Sequence, residues 1–149
     1  MTNNELAKKL LSFDELKHIK NFSDEELLKE FGHLSVYKIY DWKENFSEKD
    51  FFYFLNRRIH AILNCDFDGT NNFESDFLDS KHLALKSSNR LESFIKYYDS
   101  ILAKINARII LLDFDDDTYR IFVIRKTDFQ FFINNKSDFW SFKPINIEK

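Results

Sequence analysis

Two β-rich runs, 109–114 and 119–124, flank Asp115-Asp116-Asp117-Thr118, and no other stretch restricts the fold as tightly. Ile109-Ile110-Leu111-Leu112 and Ile121-Phe122-Val123-Ile124 are their apolar centres. Apolar, β-branched runs divided by a short polar turn spell a β-hairpin.

Upstream the spacing is helical. Leu6, Leu10, Phe13, Leu16 and Ile19 recur at threes and fours, which predicts an amphipathic helix or a helix pair broken near Ser12. Ser23 with Glu26 is a capping-box pattern opening a short helix, with Leu27, Leu28 and Phe31 inward and Gly32 as its stop. Val36, Ile39 and Tyr40 predict a strand through about Trp42. Ser47 with Asp50 then opens a longer helix with a stripe of Phe51, Phe52, Leu55, Ile59, Ile62 and Leu63. Residues 65–80 carry Asp66, Asp68, Glu74, Asp76 and Asp79 without one Lys or Arg, and read as an acidic loop. Leu83 and Leu85 suggest a short strand, and Asn89 a cap for a helix carrying Leu91, Phe94, Ile95, Tyr98 and Leu102. After the hairpin, Thr127-Asp128 starts a short helix, and Phe139-Trp140-Ser141-Phe142 is strand-like before Pro144. Helices first and a hairpin late predict an α+β fold, an antiparallel or mixed sheet with helices packed on one side.

With 149 residues and only Gly32, Gly69 and Pro144 as strong punctuation, one domain over 1–149 is expected. The chain holds 18 Phe, 6 Tyr and 2 Trp. Each buried ring removes about 150–250 Å² from water, so few side chains build a core. Tyr37, Tyr40, Trp42, Phe139, Trp140 and Phe142 are either part of that core or anchors of a surface patch.

A net charge of −3 runs against the basic face of a nucleic-acid binder and permits a basic partner. The single Cys65 excludes an internal disulfide and a cysteine zinc site, and suits a reducing compartment. Met1-Thr2-Asn3-Asn4-Glu5 lacks a basic leader, and no apolar stretch of about 18 residues exists to span a bilayer. A cytoplasmic protein with neither nucleic-acid nor membrane partner is expected; the oligomeric state stays open.

Ile62-Leu63-Asn64-Cys65-Asp66-Phe67-Asp68-Gly69-Thr70 resembles the first motif of the haloacid dehalogenase-like phosphatases. That resemblance implies Asp66 as nucleophile and Asp68 as general acid/base, with magnesium offsetting charge. It further implies Ser87 or Ser88 as a phosphate ligand, Lys104 as the basic third motif, and Asp115 with Asp116 at the metal. Against it, about twenty residues separate Asp66 from Ser87, too few for a flap, a crossover helix and a parallel strand. Asp-Phe-Asp-Gly is also ordinary turn chemistry.

The acids Asp113, Asp115, Asp116 and Asp117 read as a metal site, a lure for a basic partner, or a solvated tip. The alternating acids, sixth-position Gly and late Glu of a calcium loop do not follow Asp113. His18, His33, His60 and His82 are scattered, with no pair at the spacing of a zinc helix. Cys65 reads as a small buried hydrophobe, and Arg57-Arg58 as a solvated face or an ion-pair partner for the acids downstream.

Tyr40-Asp41-Trp42-Lys43 and the hairpin are similar to segments of small uncharacterised bacterial domains in the size range of toxin-immunity proteins. The similarity covers about a third of the chain and carries no catalytic residue. It leans away from the phosphatase. A small acidic domain without catalytic machinery, whose two acidic clusters could meet a basic cleft, predicts a non-enzymatic binding protein that neutralises a toxin by occluding its active site, with no cofactor. The expected contacts are Asp68, Glu74, Asp76, Asp115, Asp116 and Asp117. The alternatives are the phosphatase using Asp66 and Asp68, and a housekeeping interaction domain.

Overall fold

Three helices open the chain, and each starts in the same way. In this computed structural model, which describes residues 1–41, 48–65, 87–114, 116 and 118–145, they are α1 (Asn3–Leu10), α2 (Phe13–Leu16) and α3 (Asp24–His33). The hydroxyls of Thr2, Ser12 and Ser23 accept from the backbone N–H of Glu5, Glu15 and Glu26, whose carboxylates take the cap N–H in return. Each box satisfies donors that a helix start leaves orphaned. The Ser12 box is what divides residues 5–19 into a helix pair.

Gly32 is not the stop of α3. It lies within the helix, and the left-handed residue is Ser35 with φ 58°. Ser35 N–H donates to the Gly32 carbonyl at 3.1 Å and Val36 N–H to the Phe31 carbonyl at 2.9 Å. These two bonds form a Schellman turn with serine where glycine usually stands.

Next come β1 (Tyr37–Asp41), α4 (Glu48–Leu63), α5 (Ser87–Ala103), β2 (Ala107–Leu112) and β3 (Thr118–Arg125). A 3-10 turn (Lys126–Asp128), α6 (Phe129–Asn134) and β4 (Phe142–Pro144) follow. The sheet order is β1-β3-β2-β4, antiparallel at every pairing, with the hairpin in place and Ile110 opposite Phe122. The α+β class and the antiparallel sheet are as expected. Trp42 and the strand expected at Leu83 and Leu85 lie outside the described residues.

The helices, however, cover both faces of the sheet, which corrects the one-sided arrangement. Ile109, Leu111, Ile121 and Val123 pack with Phe51, Leu55, Phe94 and Tyr98 of α4 and α5. Ile110, Leu112, Phe122 and Ile124 pack with Leu6 and Leu10 of α1, Phe31 of α3 and Phe132 of α6. The reason lies in the strands themselves: their apolar residues are consecutive rather than alternating, so neither face tolerates water. The aromatic tail belongs to the second core, where Phe142 meets the rings of Phe122 and Phe132 at 5.4 and 5.1 Å. Trp140 and Tyr40 are buried too, whereas Phe13 and Tyr53 face outward.

Two buried charges join the layers. Arg57 is exposed, but Arg58 of α4 is only 3% exposed and reaches across to α1 and α2. Its Nη1 donates to Glu15 Oε2 at 2.7 Å, and Nη2 donates to the Leu10 carbonyl at 2.7 Å and to Glu15 Oε1 at 3.2 Å. Asp99 of α5 fastens β2 where β4 no longer runs beside it. It accepts from the Ile109 N–H at 2.8 Å and from Arg108 at 2.9 and 3.0 Å.

Burial opposes ionisation of Glu15, but the bonds and charge of Arg58, with the Ser12 N–H, hold its carboxyl below the usual carboxylate range. A lowered folded value means the stabilisation is complete above the ordinary carboxylate pKa and is lost as pH falls through the folded one. Glu15→Ala strands a buried guanidinium, so urea denaturation at neutral pH should show a loss of about 3 kcal/mol. That loss should shrink on acidification; an unchanged gap at low pH would contradict the stabilising role of the Arg58–Glu15 pair. Ser35→Gly should raise stability by about 1 kcal/mol by relieving the left-handed residue. Gly32→Ala should gain about 0.5–1 kcal/mol in helix propensity; its added Cβ would lie 3.4 Å from Tyr37 Oη, ordinary contact. Thermal denaturation of both variants reads these signs.

Candidate functional site

The hairpin end of the sheet brings together Asp113, Asp116, Arg120 and Lys143. Of the acids singled out by sequence, Asp113 and Asp116 are described; Asp66, Asp68, Glu74, Asp76, Asp79, Asp115 and Asp117 lie outside the described residues. Asp116 stands between β2 and β3. Its Oδ1 accepts from Thr118 N–H at 3.1 Å and from Thr118 Oγ1 at 2.7 Å, an Asx-type turn closing the hairpin. Arg120 Nη1 lies 3.2 Å from its Oδ2. The Thr118 hydroxyl and N–H, then Arg120, lower the Asp116 carboxyl below its ordinary value.

Arg120 is itself anchored. Its guanidinium lies 4.6 Å over the Phe114 ring, which meets Phe139 edge-on at 5.3 Å, and Phe139 meets Trp140 at 4.7 Å. Asp113 is 3.6 Å from Lys143 Nζ, and its N–H donates to the Ser141 carbonyl at 2.9 Å. The acidic tip thus carries built-in cations from β3 and β4, and its geometry is tied to the aromatic core.

Two adjoining hollows, about 270 and 410 Å³, open beside it and share Leu111, Tyr119 and Lys143. The first reaches Asp113 and Asp116; the second runs to Glu92 and Ile95 of α5. Burial, and then the charge and hydrogen bond of Glu92, raise the Tyr119 hydroxyl above its ordinary value. Glu92 is also 3.3 Å from Lys96 Nζ. The Tyr119 O–H donates to Glu92, so on the wall of the hollow the hydroxyl oxygen is left as an acceptor. Sequence reasoning missed Glu92, Tyr119, Arg120 and Lys143. A legible signal existed for Arg120, a charge set inside an apolar strand.

The carboxylates of the dehalogenase-like correspondence, Asp66, Asp68 and Asp115, lie outside the described residues, and the described ones do not show the frame that it expects. Residues 62–63 are the last turn of α4 rather than a strand, and the sheet is antiparallel throughout its described pairs. Lys104 precedes β2 and Asp116 follows it, so they stand at opposite ends of a strand about 20 Å long. Cys65, read as a buried hydrophobe, is exposed; it follows Asn64, whose φ of 54° lies just past the end of α4. His18, His33 and His60 are exposed, and among the described residues no three His, Cys, Asp or Glu side chains converge on a metal position. No helix among them is long and apolar enough to cross a membrane.

A family model described as a domain of unknown function, DUF6630, matches residues 3–134, and the chain belongs to that family. The match runs from the start of α1 to the end of α6 and leaves β4 outside. No curated protein and no solved structure matches the chain.

Glu92→Gln should bring the Tyr119 hydroxyl part of the way back toward the ordinary tyrosine value, burial remaining. Spectrophotometric alkaline titration, with Tyr119→Phe identifying the transition, checks this; an unmoved transition would remove Glu92 from the site.

Proposed function

For this member of the DUF6630 family we propose a non-enzymatic protein-binding role of the toxin-neutralising, immunity type, exerted in the cytoplasm by covering a partner's active site. One observation carries the reading: the acidic hairpin turn is pre-set, with Asp116 held by Thr118 and Arg120 and the turn braced on Phe114 and Phe139. A contact group already fixed in place loses little freedom on binding, so more of the interaction appears as affinity. The four aspartates at 113, 115, 116 and 117 outnumber Arg120 and Lys143, which leaves the tip negative and suited to a basic surface. Complementary charge raises the association rate, and it does so less as salt increases. Asp68, Glu74 and Asp76 extend the proposed contact set on sequence grounds alone.

The test is calorimetric titration of the chain with the product of the gene encoded beside its own. Asp115→Asn/Asp116→Asn/Asp117→Asn together should weaken binding at least about tenfold, mostly through slower association at low salt. Unchanged affinity would clear the hairpin tip. Magnesium-dependent hydrolysis of a phosphate ester that disappears in Asp66→Asn would replace the binding role with phosphoryl chemistry.

A further inference from the structure

We infer that the hollow between α1 and the segment joining α2 to α3 binds a small amphipathic carboxylate, an apolar body with one anionic head. The hollow measures about 530 Å³, inside the range of roughly 300–1,000 Å³ that suits small ligands. Leu16, Ile19, Phe22 and Leu27 give it an apolar floor. Lys8 and Lys20 stand at its rim, and neither belongs to an ion pair among the described residues. Their neighbours are committed elsewhere: Lys9 to Asp128 at 3.0 Å and Lys17 to Asp14 at 3.2 Å. No carboxylate lines the hollow. Asp24, at the start of α3, accepts the Trp140 indole N–H at 3.1 Å instead.

The walls are set before any ligand arrives. Asn3 Oδ1 accepts the same indole N–H at 3.1 Å, and Asn3 Nδ2 donates to the Phe22 carbonyl at 3.4 Å, tying α1 to the joining segment. The Ser12 and Ser23 capping boxes fix the helix starts on either side of that segment. An anionic head at the rim is attracted by the Lys8 and Lys20 ammonium groups, while its apolar body covers the half-buried Leu16, Ile19 and Phe22. The site is on the α1 side of the molecule and does not depend on the hairpin tip.

Titration of the full chain with decanoate, followed by backbone amide chemical shifts, tests this. Shifts should concentrate at Leu16, Ile19, Lys20 and Phe22. Lys8→Gln/Lys20→Gln, at two exposed positions that leave the fold intact, should weaken binding about tenfold or more. Decanol should bind about tenfold more weakly than decanoate, and acetate should leave the spectrum unchanged. Shifts elsewhere, equal affinity in the double variant, or equal affinity for decanol would overturn the site. Co-sedimentation with phosphatidylglycerol vesicles, lost in the double variant and not displaced by decanoate, would also overturn it in favour of a lipid surface.

Discussion

The β2–β3 hairpin is apolar on both faces, and the architecture follows from having to cover it twice. Eight consecutive-type positions, four on each strand, alternate between two separate cores. A half-exposed sheet would have needed polar residues at every second position, and Ile109-Ile110-Leu111-Leu112 offers none. The short N-terminal helices, the long α4 and α5, and the aromatic tail are therefore coverings of one central element. At roughly 25 cal/mol per Å² of apolar surface, the unusual Phe content is a compact way to supply both layers.

Covering a sheet on two sides raises the problem of holding the coverings in register, and two buried charges answer it. Arg58 belongs to one layer and finds its acceptors, Glu15 and the Leu10 carbonyl, in the other. Asp99 ties α5 to the stretch of β2 that β4 does not reach. Neither adds much net energy over an apolar substitute, since desolvation offsets most of the attraction. Their contribution is geometric: either charge left alone in the interior is expensive, so layers that slip are penalised.

Much of this was legible in the sequence. The hairpin, the helix break at Ser12, the Ser23 cap and the α+β class all rest on local chemistry, and local chemistry is what a sequence displays. The one-sided placement of helices fails because consecutive apolar residues mark a strand and also make both of its faces apolar, and only the second property sets how many helix layers are needed. Gly32 misled because composition points to glycine for a left-handed turn, while the Schellman geometry places Ser35 there. Arg58 was unreadable, since its acceptors lie 43 and 48 residues away. At the site, the acids of the turn were visible, but Glu92 and Lys143 join it only through folding, and nothing in their own segments marks them.

The indole of Trp140 has a temporal consequence. It donates to Asn3 and Asp24, residues 137 and 116 positions earlier, and packs against Phe31. During synthesis the first three helices emerge long before the side chain that closes over them, and β1 must wait for β3. Contacts of such sequence separation slow folding. The nascent N-terminal segment should therefore leave the ribosome with an unsealed apolar face, one that a chaperone could shield until Trp140 has followed it out.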